Sequence, residues 1–167
     1  MVSRQSRVGG QRGFTLAELM VAIAIIGIIS IVATPLFMTF LRASETRGAS
    51  QEMATLLNQA RQLAIAGNEK YQVEIDVPGN RLRFVRTLDS TAWIGPGTDG
   101  QGFRRLQNLS RLTCANANPT FNPLGTAAGG TITVQNAQST SSLNVIVSSS
   151  GRIRQCGPTV ANCTQCP

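Results

Sequence analysis

The sequence predicts an α+β fold: one long N-terminal α-helix, with a transmembrane half and an amphipathic half, packed on an antiparallel β-sheet domain. Three observations carry this. Between Arg12 and Arg42 the only charged residue is Glu18. Beyond Arg42, apolar residues recur at intervals of three and four as far as Ala64. From Tyr71 onward the period changes to two, the signature of strands.

The 28 residues from Phe14 to Leu41 are apolar enough to cross a bilayer, and as one helix they would span roughly 42 Å, more than the hydrocarbon core requires. Pro35 lies within the run and removes one backbone hydrogen bond, so it should bend or loosen the helix; Gly48 weakens it further. From Arg42 the helix should continue, with Met53, Leu56, Leu57, Ala60, Leu63 and Ala64 on one side and Gln51, Glu52, Asn58, Gln59, Arg61 and Gln62 on the other. Gly67 and Asn68 supply the stop, since either tolerates the left-handed conformation of a helix end.

Tyr71, Val73, Ile75 and Val77 alternate with Gln72, Glu74 and Asp76. After Pro78-Gly79-Asn80, Leu82 and Phe84 alternate with Arg81, Arg83 and Val85, which predicts a β-hairpin whose polar face pairs acids with arginines. Residues 87–102 are turn-rich and carry Trp93, read as packing. Gln107 to Cys114 is read as a strand and 115–130 as a loop with short extended pieces. Thr131 to Val134 and the stretch around Leu143, Val145 and Val147 are strands, and Ser148 to Gly151 turns the chain into Arg152-Ile153-Arg154-Gln155-Cys156.

Residues 1–13 are polar, carry Arg4, Arg7 and Arg12, and end in Gly13 directly before the apolar run. No A-x-A-like signal-peptidase site follows Leu41, so the helix is expected to be retained. Gly13, Phe14, Thr15, Leu16 and Glu18 together resemble the type IV pilin family, in which a leader peptidase cuts between a glycine and a phenylalanine and the fifth mature residue is glutamate. The resemblance implies cleavage between Gly13 and Phe14, N-methylation of Phe14 by the same prepilin peptidase/N-methyltransferase, and assembly with other pilin or pseudopilin subunits. In assembly, Glu18 would meet the new amino group of a neighbour's Phe14. Pro35 matches a proline that many members carry in this helix. On residues alone, Glu18 also fits a simple interfacial anchor residue, although an ionisable group within a membrane segment usually has a partner. The expected organisation is a leader over 1–13, a transmembrane and assembly helix over 14–41, and a periplasmic globular domain over 42–167. The protein would be a single-pass inner-membrane protein, leader inside.

Composition excludes several chemistries. The formal charge is +7, from 15 basic and 8 acidic residues, and there is no histidine. The commonest general base and commonest zinc ligand are therefore absent, and no catalytic residue, metal or cofactor is expected. One tryptophan, one tyrosine and six phenylalanines argue against a base-stacking platform. A mildly basic domain suits an anionic partner without specifying one. Four cysteines, Cys114, Cys156, Cys163 and Cys166, are read as disulfide staples of a loop-rich tail in an oxidising compartment, with the pairing open. The alternatives for Cys163-x-x-Cys166, a redox dithiol or half a zinc site, lack their usual context.

Farther along, Phe121, Pro123 and Gly125, the Thr131–Val134 strand, and Val145-x-Val147 turning through Gly151 into Arg152-Ile153-Arg154 resemble H-type minor pseudopilins of type II secretion and the related FimT-like and FimU-like minor pilins. The resemblance implies a noncatalytic minor pilin, structural or assembly-priming in a type IV pilus, with a pseudopilin of type II secretion as the alternative. A further alternative is DNA binding for natural transformation, because the Gly151-x-Arg-x-Arg turn resembles the DNA-contacting element of FimT-like pilins. Alternation would place Arg152 and Arg154 on one face about 7 Å apart, a spacing that suits successive phosphates of double-stranded DNA. Arginines that keep an edge strand soluble are the plainer reading.

Overall fold

The computed structural model describes residues 13–106, 110–115, 117–136 and 141–157; the leader residues 1–12, Cys163 and Cys166 lie outside the described residues. The chain forms two compact units, divided between Thr39 and Phe40. One helix, α1, runs Leu16–Gly67 over 52 residues and contributes to both; its helical conformation is uninterrupted at Pro35 and Gly48.

In the first unit every described residue is exposed, including Ile23, Ile26, Ile31 and Phe37. So large an apolar surface needs surroundings other than water, and this helix is long and apolar enough to cross a membrane. Its hydroxyls are satisfied internally: Ser30 Oγ donates to the Ile26 carbonyl at 2.8 Å, Thr34 Oγ1 to Ser30 at 2.7 Å and Thr39 Oγ1 to Leu36 at 2.8 Å. Such back-bonding removes the cost of a bare hydroxyl in lipid.

In the second unit, α1 buries Ala49, Met53, Leu56, Leu57, Ala60 and Ala64, close to the stripe that the spacing predicts; Leu63 is only half-buried. Thr46 and Ser50, which apolar periodicity passes over, are buried too. Each turns its hydroxyl back to the helix, on the Arg42 and Arg47 carbonyls, so burial leaves neither oxygen bare. The helix ends where Asn68, not Gly67, takes the left-handed conformation, with φ of 50°. The Glu69 amide then bonds the Ala64 carbonyl at 3.1 Å and the Asn68 amide the Ile65 carbonyl at 3.3 Å, the paired bonds of a Schellman stop.

The strands are β1 Tyr71–Asp76, β2 Arg81–Arg86, β3 Arg104–Arg105, β4 Ser110–Ala115, β5 Thr120–Phe121, β6 Ala127–Ala128, β7 Gly130–Asn136, β8 Ser142–Val147 and β9 Ile153–Cys156. They form two antiparallel sheets rather than the single sheet expected, ordered β3-β2-β1-β5-β6 and β4-β7-β8-β9. The strand expected from Gln107 begins at Ser110 among the described residues, and a register shift between Leu112 and Cys114 breaks its alternation. Asn80 ties the hairpin turn to the second sheet: its Oδ1 accepts from the Leu112 amide at 2.8 Å and its carbonyl from Leu106 at 3.4 Å. One core joins the helix to both sheets, through Val73, Leu82, Phe84 and Phe121 of the first and Ile132, Val134, Val145 and Val147 of the second. Phe121, Met53 and Leu57 are fully buried, each stabilising the fold by about 1.5–3 kcal/mol through removal from water.

Candidate functional site

Two places carry the residues singled out from the sequence. The first is the helix start. Thr15 caps α1: the Glu18 amide donates to Thr15 Oγ1 at 3.2 Å, while Glu18 Oε2 accepts from the Thr15 amide at 3.1 Å and from Thr15 Oγ1 at 3.2 Å. This reciprocal arrangement is a capping box. It satisfies helix-end amides and places a carboxylate at the positive end of the helix dipole. Thr15-x-x-Glu18 was visible in the sequence as a capping pattern, yet sequence reasoning assigned Glu18 only to a partner or an interface. Phe14 is 89 % exposed, and among the described residues nothing lies within 4 Å of where a Cβ on Gly13 would stand. Pro35 lies exposed on the same helix.

The second place is the turn between β8 and β9. Gly151 is buried, with φ of 75°, and a Cβ there would collide with the Gly125 carbonyl oxygen. Only glycine suits both constraints. Its amide closes the turn onto the Ser148 carbonyl at 2.8 Å, and the Arg152 carbonyl accepts from the Ser148 amide at 3.0 Å. Arg152 precedes β9, and Arg154 lies within it opposite Ile146; both are exposed, while Ile153, opposite Val147, is half-buried. The opposite orientations expected for Ile153 and the arginines are therefore present, and the backbone of the turn is fixed by its own hydrogen bonds.

The arginines of the two sheets differ in their surroundings. In the first sheet Arg81 Nε lies 2.7 Å from Asp76, Arg83 Nε 2.6 Å from Glu74, and Arg86 3.2 Å from both Glu69 and Asp89. Arg81 and Arg83 also lie over the Phe103 ring, at 4.1 and 4.6 Å from its centroid. The hydrogen bond from Arg81, helped by the Gly79 amide, holds the Asp76 carboxyl below its ordinary value. Hydrogen bonds from Thr91 lower Asp89, and the Glu69 hydrogen bond raises Arg86. Arg104 spends its donors on the Pro96 carbonyl and Gln59.

Nothing comparable holds in the second sheet. Arg111 shares with Arg154 the face turned away from α1, as the register through Gln135, Ser142 and Ile146 shows. The two stand on opposite edge strands, three strand spacings or about 14 Å apart across the sheet and four residues or about 13 Å apart along it. Among the described residues neither they nor Arg152 make an ion pair. The sequence explains why: no Asp or Glu follows Asp99, while Arg104, Arg105, Arg111, Arg152 and Arg154 all do. Counting net charge over the whole chain conceals this segregation. Of the cysteines, Cys114 lies on β4 and Cys156 ends β9 in disulfide linkage.

The family model described as type II transport protein GspH matches residues 49–151, and the prokaryotic N-terminal methylation motif matches 9–34. The chain belongs to the GspH family. In this GspH-family chain the methylation motif contains Gly13, Phe14, Glu18 and the capping box, whereas the family match stops at Gly151, one residue short of the first turn arginine. The minor pseudopilin EpsH from the type 2 secretion system of Vibrio cholerae superposes with a TM-score of 0.55 at 18% identity, covering 70% of this chain and 99% of that one. The type IV minor pilin FimU of Pseudomonas aeruginosa gives 0.51 at 18%, covering 72% and 97%. These two share the fold. A type IV major alpha-pilin of Moraxella bovis is 45% identical over 47 residues, 28% of this chain and 30% of that pilin, so the chain spans under a third of that relative's length. The GspH-family chain thus joins an N-terminal methylation motif to a domain whose fold is that of EpsH and FimU.

Proposed function

We propose that this chain is a minor pilin, a noncatalytic structural or assembly-priming subunit of a type IV pilus. A leader over 1–13 is removed between Gly13 and Phe14, Phe14 is N-methylated, and the helix over 14–41 holds the subunit in the inner membrane, with 42–167 periplasmic, until it enters the filament. The observation that carries this is the methylation-motif match over 9–34 joined in one chain to a GspH-family domain. Glu18 receives a neighbour's Phe14 amine in the filament, with Pro35 part of the same assembly helix. Cys114, Cys156, Cys163 and Cys166 staple the C-terminal tail. The name of the matching family favours a second reading, a pseudopilin of type II secretion built from the same parts.

The capping box makes the assembly test sharper than alanine substitution alone. Glu18→Gln preserves a capping box, since glutamine serves at that position, but removes the charge. Thr15→Ala keeps the charge and loses the cap. Charge pairing predicts that Glu18→Gln enters sheared filaments as poorly as Glu18→Ala while Thr15→Ala enters better than either. A role confined to capping predicts the reverse, with Glu18→Gln like the native chain.

The unpaired arginines that follow Gly151, Arg152 and Arg154, support a DNA-binding role for the turn, as in a minor pilin for natural transformation. Phosphate contacts would supply the affinity, since few aromatic side chains are available to read bases. Salt dependence of binding to duplexes of unrelated sequence tests it.

A further inference from the structure

Arg61 and Gly125 answer to neither the filament motif nor the arginine pair, yet they meet at the turn that carries that pair. The Arg61 Nε, on α1, donates to the Gly125 carbonyl at 2.9 Å. Gly125 is buried, has φ of 78°, and a Cβ on it would stand 3.2 Å from Arg61 Nε and Nη2. A Cβ on Gly151 would meet the same Nε at 3.2 Å, besides striking the Gly125 carbonyl. The guanidinium therefore lies against two left-handed glycines at once. A planar, rigid group suits that narrow space better than an ammonium on a flexible stem.

The two turns are also bonded to each other. Gly125 closes its own turn through its amide on the Asn122 carbonyl at 2.8 Å, with the Asn122 amide on the Thr126 carbonyl at 2.8 Å. The Ala127 amide then donates to the Ser149 carbonyl at 3.0 Å. Inside the second turn, Ser148 Oγ accepts from the Arg152 amide at 3.2 Å and donates to the Arg152 carbonyl at 3.1 Å. Helix, first turn and second turn form a continuous series of contacts that ends on the backbone of Arg152.

We propose that Arg61 is a positioning residue: by clamping Gly125 against Gly151 it fixes the turn from which Arg152 and Arg154 reach an anionic backbone. The proposal rests on the duplex-binding reading of those arginines. Arg61 itself is half-buried with its Nε committed to a carbonyl, so it acts through the turn rather than on the phosphate.

The test uses the full-length protein in uncharged detergent, a fluorescent duplex titrated by anisotropy across a salt series, and amide hydrogen exchange. Gly151→Ala removes no charge, yet it should flatten the log–log salt slope by about one to two units, approaching loss of both arginines. Arg61→Ala should do the same, and Arg61→Lys, which retains charge and a donor, should fall between; Arg47→Ala, an exposed charge elsewhere on the helix, should keep the native slope. In Gly151→Ala and Arg61→Ala, exchange at Ala127, Gly151 and Arg152 should rise about tenfold while Val73 keeps its protection. If exchange at the turn does not change, the clamp is wrong whatever happens to DNA. Faster exchange with an unaltered slope overturns positioning and leaves duplex binding standing. A native protein that shows no salt-dependent binding overturns the duplex reading, and with it the role assigned to the clamp. Should Arg61→Ala fail to fold, Arg61→Lys and Gly151→Ala decide the outcome.

Discussion

The two sheets of the second unit are similar in construction and differ in how most of their arginines are paired. In the first, Arg81, Arg83 and Arg86 each face a carboxylate across the strands or along the chain. In the second, Arg111, Arg152 and Arg154 are exposed in a segment without any acid. Net charge therefore misdescribes both: Arg81, Arg83 and Arg86 are already paired, while Arg111, Arg152 and Arg154, like Arg105 on the edge strand of the first sheet, have no carboxylate partner among the described residues. The difference teaches that arginines of one chain are not interchangeable controls for one another. Their worth to an anionic ligand depends on what they must first release.

Substitution of both turn arginines should have the largest effect on duplex binding. Arg152→Ala with Arg154→Ala should flatten the salt slope by about two units, while Arg81→Ala with Arg83→Ala, the same loss of charge, should change it little. Equal losses in an anisotropy titration would erase the distinction between the sheets.

Freeing the first sheet should move it toward the second. Glu74→Gln with Asp76→Asn releases Arg81 and Arg83, and should steepen the slope by about one unit if the carboxylates are what keep those arginines from phosphate. No gain would mean that the Phe103 stacking, not the ion pairs, occupies them.

The converse change gives the second sheet an acid of its own. Ile146 lies directly across from Arg154 and is half-buried. Ile146→Glu should pair that arginine and cost about one unit of slope, with Arg152 still engaged. A native slope in this variant would remove Arg154 from the site.

The smallest effect concerns stability. Because Asp76 has a folded pKa below its ordinary 3.8, its contribution is present above that value and disappears as pH falls through the folded pKa. Asp76→Asn should lower the melting temperature by no more than a few degrees at pH 7 and by less as pH falls through the folded pKa of Asp76, since exposed pairs are screened by water. A difference that does not shrink would assign the effect to lost packing of Arg81.

The sequence revealed most where one local rule acts alone. The helix was legible through its charge-free run and the spacing of Met53, Leu57, Ala60 and Ala64, and the β1–β2 hairpin through alternation that puts Glu74 opposite Arg83 and Asp76 opposite Arg81. The division into two sheets was not, because hydrogen-bond partners of β4 and β5 are chosen by tertiary contacts such as Asn80 with Leu112, which leave no periodicity. At the candidate site, Gly13, Phe14 and Glu18 stood out as a motif, and Arg152 and Arg154 by alternation. The burial of Gly151 under Gly125 and Arg61 did not, since it joins residues about ninety positions apart in the chain. The acid-free stretch after Asp99 was readable and called only for counting charge by segment.

The pilin reading of this chain depends on processing at one peptide bond. Intact-mass and N-terminal fragment analysis of the protein recovered from membranes measures it directly. The account predicts a chain that begins at Phe14 with one added methyl group, and a Gly13→Val variant that retains the leader and stays out of filaments. A native membrane-bound chain still beginning at Met1, unmethylated, would contradict it.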